Sequence, residues 1–230
     1  DEIVDEKVEE EMKKYGIIVV AQGNGIKDMF LSIGATKVVE GGQTMNPSIE
    51  DIVTAIENEN AEHIFILPNN SNIVLAAEQA VSITDKKVAV IPSKSIPQGI
   101  SVLFAFDGDL SAEENEENMV DALADVKTGL VTYATRDTVI NDMEIKKGSF
   151  IGMNDGTIKV TASNKLSTME SLLQHVVDED DELVTIFYGE DVTEEEVASL
   201  RQYVEENLEE VELELHCGNQ PIYSFIIMVE

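Results

Sequence analysis

Short apolar runs spaced by helix-length stretches constrain this chain more than any other feature. Ile17–Ala21 (IIVVA), Lys37–Val39, His63–Leu67 (HIFIL) and Val88–Ile91 (VAVI) read as strands. Helical patterns lie between them, over 25–33, 48–59 and 71–83, and a fourth runs from Pro97 to Phe106 with proline in its first turn. Ser48 begins the second of these as N-cap, with Asp51 as an acidic variant of the capping box. Strands this short and this apolar are buried on both faces, and the helices between them are the crossovers that parallel pairing requires. The expected class is α/β, with a parallel, doubly wound sheet in the first half.

The second half has another rhythm. An acidic loop followed by a helix fills 107–126 and is the expected boundary. Strands follow over 129–135, 137–140, 150–153 and 156–162, with turns at Asn141-Asp142 and Asn154-Asp155-Gly156. A helix over 166–177, a strand over 183–188 and a helix over 193–207 come next, the last opened by a Thr193/Glu196 capping box. Strands over 211–216 and 224–229 close the chain. The expected arrangement is a leading helix or linker over 1–15, a first α/β subdomain over 16–110, and a second subdomain over 111–230 with a mixed sheet containing antiparallel strands.

Charge limits the partners. The 230 residues carry 46 acids against 15 bases, a net charge of −31, while 43% are hydrophobic. That apolar content excludes a disordered acidic tail. The charge argues against nucleic acid and against insertion at an anionic membrane surface. It favours a basic partner, or solubility alone. Residues 111–230 hold 28 of the acids and 7 of the bases. The densest stretch runs from Asp178 to Glu214 with Arg201 as its only base, so Glu194, Glu195, Glu205 and Glu206 are the candidate docking residues. The lone Cys217 excludes a disulfide framework and a thiolate zinc site. With no signal peptide in the sequence, the expected compartment is cytoplasmic. The chain opens on Asp1 rather than methionine, so it is expected to be part of a longer protein with a further domain N-terminal to it.

No nucleotide or metalloprotease signature is present. Gly23-Asn24-Gly25 follows a strand and opens a helix, as a phosphate loop or as a tight turn, and Asp28 stands where a dinucleotide fingerprint has its third glycine. His63, His175 and His216 are scattered, and neighbours on a strand such as His216 and Cys217 point to opposite faces. No nucleophile–base pair can be named, so this chain alone is not expected to be catalytic. Three polar loops remain, each at the C-terminal end of a first-half strand: GGQTMNPS (41–48), PNNSN (68–72) and PSKSIPQG (92–99). Ligands of open parallel sheets bind beyond those ends. Gly42, Gln43, Thr44, Asn46, Asn69, Asn70, Ser71, Lys94, Ser95 and Gln98 are the candidate binding residues, suited to a polar or anionic group held mainly by neutral donors. Helix capping and loop packing are the alternative use of the same residue types.

AQGNGIKDMFLSIGA, VVEGGQTMNPSIEDI, ILPNNSNIVLAAEQA and VIPSKSIPQGISVLFAF, in that order, resemble the C-terminal, DegV-like domain of the kinase subunit of bacterial fatty acid kinase. The resemblance implies two α/β subdomains and an upstream helical kinase domain that binds ATP and magnesium, with no cofactor on this chain. It implies a partner, a fatty-acid-binding carrier protein of DegV-like fold, whose fatty acid is phosphorylated to acyl phosphate for phospholipid synthesis. This domain would serve docking rather than phosphoryl transfer. The carboxylate-binding loop of DegV-like lipid binders would fall at 42–47, where Met45-Asn46 departs from the Ser-Gln-Pro-Ser form of that loop. The alternative implied function is a DegV-like lipid or anionic small-molecule binding module.

Overall fold

A computed structural model describes residues 11–41 and 46–230. In the first half, strands β1 (Lys13–Ala21), β2 (Lys37–Glu40), β3 (Ala61–Leu67) and β4 (Lys87–Val90) alternate with helices α1 (Asn24–Ser32), α2 (Ile49–Glu57), α3 (Ser71–Val81) and α4 (Ile96–Ala105). The strands form one sheet in the order β2-β1-β3-β4, and every pair is parallel. Lys13–Tyr15 were expected to belong to a leading helix or linker, but they open β1. Lys13, Tyr15 and Gly16 pair with Ala61, His63 and Ile64, so β3 extends the strand beyond its apolar run.

Helix α5 (Ala112–Asp121) and a 3-10 turn at Ala122–Ala124 lead into the second half. There β5 (Lys127–Tyr133), the hairpin β6 (Thr138–Ile140) and β7 (Met143–Ile145), β8 (Phe150–Asn154) and β9 (Thr157–Ala162) precede helix α6 (Lys165–Val176). Strand β10 (Leu183–Tyr188), helix α7 (Glu194–Asn207), β11 (Glu212–Cys217) and β12 (Phe225–Val229) follow. The second sheet is mixed, in the order β11-β10-β12-β5-β8-β9, with β10 and β11 parallel and its other pairs antiparallel.

Period-two alternation divides the core into three layers. Ile18, Val20, Ile64 and Ile66 face α2 and α3, meeting Ile52, Ile56, Ile73 and Ala77. Ile17, Val19, Phe65 and Leu67 face the other way, onto a cluster with Ile26, Phe30, Ile100 and Leu103. That cluster also contains Phe187, Ile226 and Met228 of the second sheet, so the two sheets share it. Phe225, Ile227 and Val229 point from β12 to the far side, against Leu172, Leu173, Leu200 and Val204 of α6 and α7. Each sheet is thus covered on both faces, as apolar strands require.

A candidate ligand cleft between the two sheets

The order β2-β1-β3-β4 places the topological switch between β1 and β3, where an open parallel sheet leaves a crevice. The ends of β1, β3 and β4 converge there on β5 and on the loop joining β11 to β12. Between them is a cleft of about 70 Å³, walled by Ala21, Asn70, Lys94, Leu130, Gln220 and Ile222 among others.

Capping accounts for most of the polar groups on the first-half wall. Asn69 adopts a left-handed backbone (φ 56°). Its Nδ2 donates to Val20 O (3.0 Å), its Oδ1 accepts from Ser93 Oγ (2.8 Å), and its amide donates back to that hydroxyl (3.0 Å). Asn69 therefore ties the carboxyl ends of β1, β3 and β4 together. Asn70 is the N-cap of α3, its Oδ1 accepting from Asn72 N, and Ser71 is the exposed first helical residue. Ser95 caps α4 by accepting from Gln98 N, and its hydroxyl meets Thr128 Oγ1 at 2.8 Å. Gln98 accepts from Lys94 N (2.7 Å) and donates to Leu123 O (3.1 Å), bracing the loop rather than facing a ligand. Lys94 lines the cleft and is exposed. Asn46 is exposed and lies outside the cleft lining, whereas Gly42, Gln43 and Thr44 fall outside the described residues.

The second-half wall is absent from the expectations. Gln220 is 2% exposed; its Nε2 donates to Phe187 O (3.0 Å) and Tyr223 O (3.1 Å), while its Oε1 has no partner among the described residues. Ile222 holds φ 71°, a conformation unfavourable for a β-branched residue, and Thr132 Oγ1 donates to its carbonyl at 2.9 Å. Such backbone states persist only where surrounding contacts over-determine them. No local signal marks these residues, because a loop of the last quarter reaches the switch point only through tertiary packing. The glycine turn is resolved in favour of packing. Gly218 O accepts from Gly25 N (3.1 Å) and Ile26 N (3.2 Å), occupying the first turn of α1 where a phosphate would sit. A Cβ on Gly25 would fall 1.8 Å from Cys217 O, so the turn is glycine because the second half abuts it.

The remaining candidates do not assemble a reaction centre. His216 stacks on Phe187 at 5.5 Å and meets Glu214 at 3.1 Å, far along the chain from His63, which sits 6.0 Å from the Tyr15 ring. Burial pushes the Tyr188 hydroxyl upward in pKa, with Cys217 beside it adding to the shift. Among the described residues, no cluster of three His, Cys, Asp or Glu side chains is placed to hold a metal ion, and no helix is long and apolar enough to cross a membrane. With the α1 turn filled by Gly218, the residues present do not fit a nucleotide–magnesium pair there.

Glu194, Glu195, Glu205 and Glu206 are exposed on α7. The first two sit in the first turn, where the helix dipole favours carboxylates; the other two lie in the last turn, where it opposes them.

Two packed α/β layers that share a core define the architectural class, and solved DegV-type proteins have it. A DegV family protein of Ruminococcus gnavus, described with vaccenic acid, matches at a TM-score of 0.64 and 17% identity, over 96% of this chain and 100% of its own. The fatty acid kinase B3 protein of Streptococcus pneumoniae, loaded with linoleic acid, matches at 0.58 and 12% identity, over 94% and 98%. At these identities the likeness concerns the fold. Sequence narrows it: residues 16–230 match the FakA-like C-terminal domain family of fatty acid kinase, and the chain belongs to that family. Protein YloV of Bacillus subtilis (strain 168) is 54% identical over 216 residues, 94% of this chain, and the chain spans 39% of that relative's length.

Proposed function

We propose that this chain docks a fatty-acid-loaded carrier protein of DegV-like fold beside a kinase domain. ATP and magnesium belong to that domain, in the part of the full-length protein outside this chain, and the product is an acyl phosphate destined for phospholipid synthesis. Family membership and the lack of a nucleophile–base pair among the described residues support the reading. The observation that carries it is the last turn of α7. Carboxylates there oppose the helix dipole, each by roughly 0.3–1 kcal/mol, and α7 has no base in its last turn to offset them. Residues that act against their own helix point to a role outside folding. A basic surface on the carrier would supply the missing counter-charge and raise the association rate.

The test is binding of the full-length protein to the loaded carrier. Replacing Glu194, Glu195, Glu205 and Glu206 by glutamine is expected to weaken binding about tenfold or more at low salt, and far less at high salt, where screening already acts. Unchanged affinity in the quadruple variant would remove α7 as the docking face. A second reading, a lipid-binding module, is disfavoured by size: about 70 Å³ compares with roughly 300 Å³ or more for ordinary ligand sites. Mass spectrometry of extracts from the purified chain is expected to find no stoichiometric fatty acid.

A further inference from the structure

We infer that the free edge of β11 accepts an extended, basic segment of a protein partner as an added strand. The inference rests on the docking reading above and names how a basic partner is held beside α7. Among the described residues, four strands edge the two larger sheets: β2, β4, β9 and β11. Proteins blunt such edges with shortness, lysine or a bulge, because unpaired N–H and C=O groups template pairing with another chain. Strands β2 and β4 have four residues each and open on Lys37 and Lys87. In β9, Lys159 is the extra residue where the register against β8 skips between Gly152 and Met153. Strand β11 has none of these devices. It runs for six residues without lysine or proline, and all six pair with β10 in unbroken register.

The direction of its free groups follows from the ladder. Glu212 N donates to Glu182 O (2.8 Å) and Gly218 N to Tyr188 O (3.0 Å), so the backbone groups of the even-numbered residues turn toward β10. Those of Leu213 and Leu215 turn outward, where no further strand lies among the described residues. Each offers one donor and one acceptor, so the two together can hold an added strand by its main chain. Beyond them, Gly25 of α1 abuts the Cys217 carbonyl and closes the edge.

Side chains choose the occupant. Glu212 and Glu214 are exposed on one face of the strand, about 7 Å apart, the spacing of alternate residues. Among the described residues, Glu212 meets no base and Glu214 meets only His216, at 3.1 Å. The Glu230 carboxyl is pushed upward in pKa by burial and then by Glu214 and Asp125, a sign of acids crowded without counter-charge. Pairing with a second copy of β11 would set glutamate against glutamate, which destabilises a sheet. A strand with Lys or Arg at alternate positions sets bases there instead.

Hydrogen–deuterium exchange of the full-length protein, alone and with the loaded carrier, tests this, with the synthetic peptide Thr-Lys-Val-Lys-Thr-Lys-Val as a second probe. The amides of Leu213 and Leu215 are expected to exchange about tenfold or more slowly when either probe is bound. Glu212→Lys combined with Glu214→Lys gives β11 the lysines of the other edges and is expected to weaken both probes about tenfold. Leu215→Pro removes an outward N–H but no ladder bond, and is expected to weaken both as well. If Leu215→Pro does not fold, exchange on the unaltered protein carries the same information. Carrier binding that leaves both amides unprotected, or that survives the double lysine variant undiminished, overturns the inference and leaves the docking reading standing. No carrier binding at all removes the docking reading, and the peptide then decides the edge. Protection of the two amides by the peptide supports it, and exchange at the free rate overturns it.

Discussion

Gly25 shows how far one residue is legible from its neighbours. The motif Gly23-Asn24-Gly25 was visible, and so was its place between a strand and a helix. Its cause was not, because the contacting backbone lies at Cys217 and Gly218, nearly the whole chain away. Gly25→Ala is expected to lower stability by about 2–3 kcal/mol, since the obstructing atom is a backbone carbonyl that cannot rotate aside. Gly108→Ala, where a Cβ meets nothing within 4 Å, is expected to stay within about 0.5 kcal/mol of the parent. Urea denaturation of the pair checks both, and equal effects would mean the close approach is relieved by loop movement. Asn69 makes a similar point. Its place in a polar loop nominated it for ligand binding, but three hydrogen bonds across three strand ends consume its side chain and amide. Among the described residues, Lys94 has no carboxylate partner and Gln220 Oε1 has no donor, and of these two only Gln220 lay outside any readable pattern.

At the level of elements, the strands and helices with strong periodicity were legible, and the edges and short pieces were not. Strand β7 has three residues and little pattern of its own. Its existence follows from the Asn141-Asp142 turn, where both residues take positive φ and fold β6 back on a partner. Helix α5 was expected within 107–126 without a defined start, and Ser111 and Glu114 form a complete capping box there. The Ser111 amide and hydroxyl both donate to the Glu114 carboxylate, which holds its pKa below the ordinary glutamate range. A carboxylate depressed in the folded state stabilises above its unfolded pKa, and that contribution fades as pH falls through the folded value. Ser111→Ala is expected to lose about 1 kcal/mol at neutral pH. Glu114→Gln should lose stability at neutral pH, with the deficit closing on acidification below the ordinary glutamate pKa. Thermal melts of both variants from pH 7 to pH 3 check the sign; a deficit that widened in acid would contradict the box as its source.

For the whole molecule, the net charge of −31 acts on folding and on binding in opposite directions. Like charges on one compact surface repel, and the unfolded chain relieves that repulsion by expanding. Among the described residues a few pairs offset it, chiefly Lys127 with Asp178 and Asp181, and Lys165 with Asp191 and Glu196. The chain's acid surplus was fully legible in the sequence, and its placement partly so. Sequence located the dense stretch on α7, but not the acid-free cleft, whose walls come from both halves. Salt separates these roles. Raising NaCl from low to moderate concentration shortens the Debye length from about 30 Å at 0.01 M to about 8 Å at 0.15 M, which screens the surface repulsion. The melting temperature of the isolated chain is therefore expected to rise over that range. The same salt is expected to weaken association with a basic partner, because the attraction that would seat it on α7 is screened equally. A more stable domain that binds its partner less tightly is a combination that neither general stabilisation nor general denaturation produces. Differential scanning calorimetry and partner titration on the same salt series give both slopes. A melting temperature that fell with salt would mean that ion pairs, not repulsion, dominate the surface.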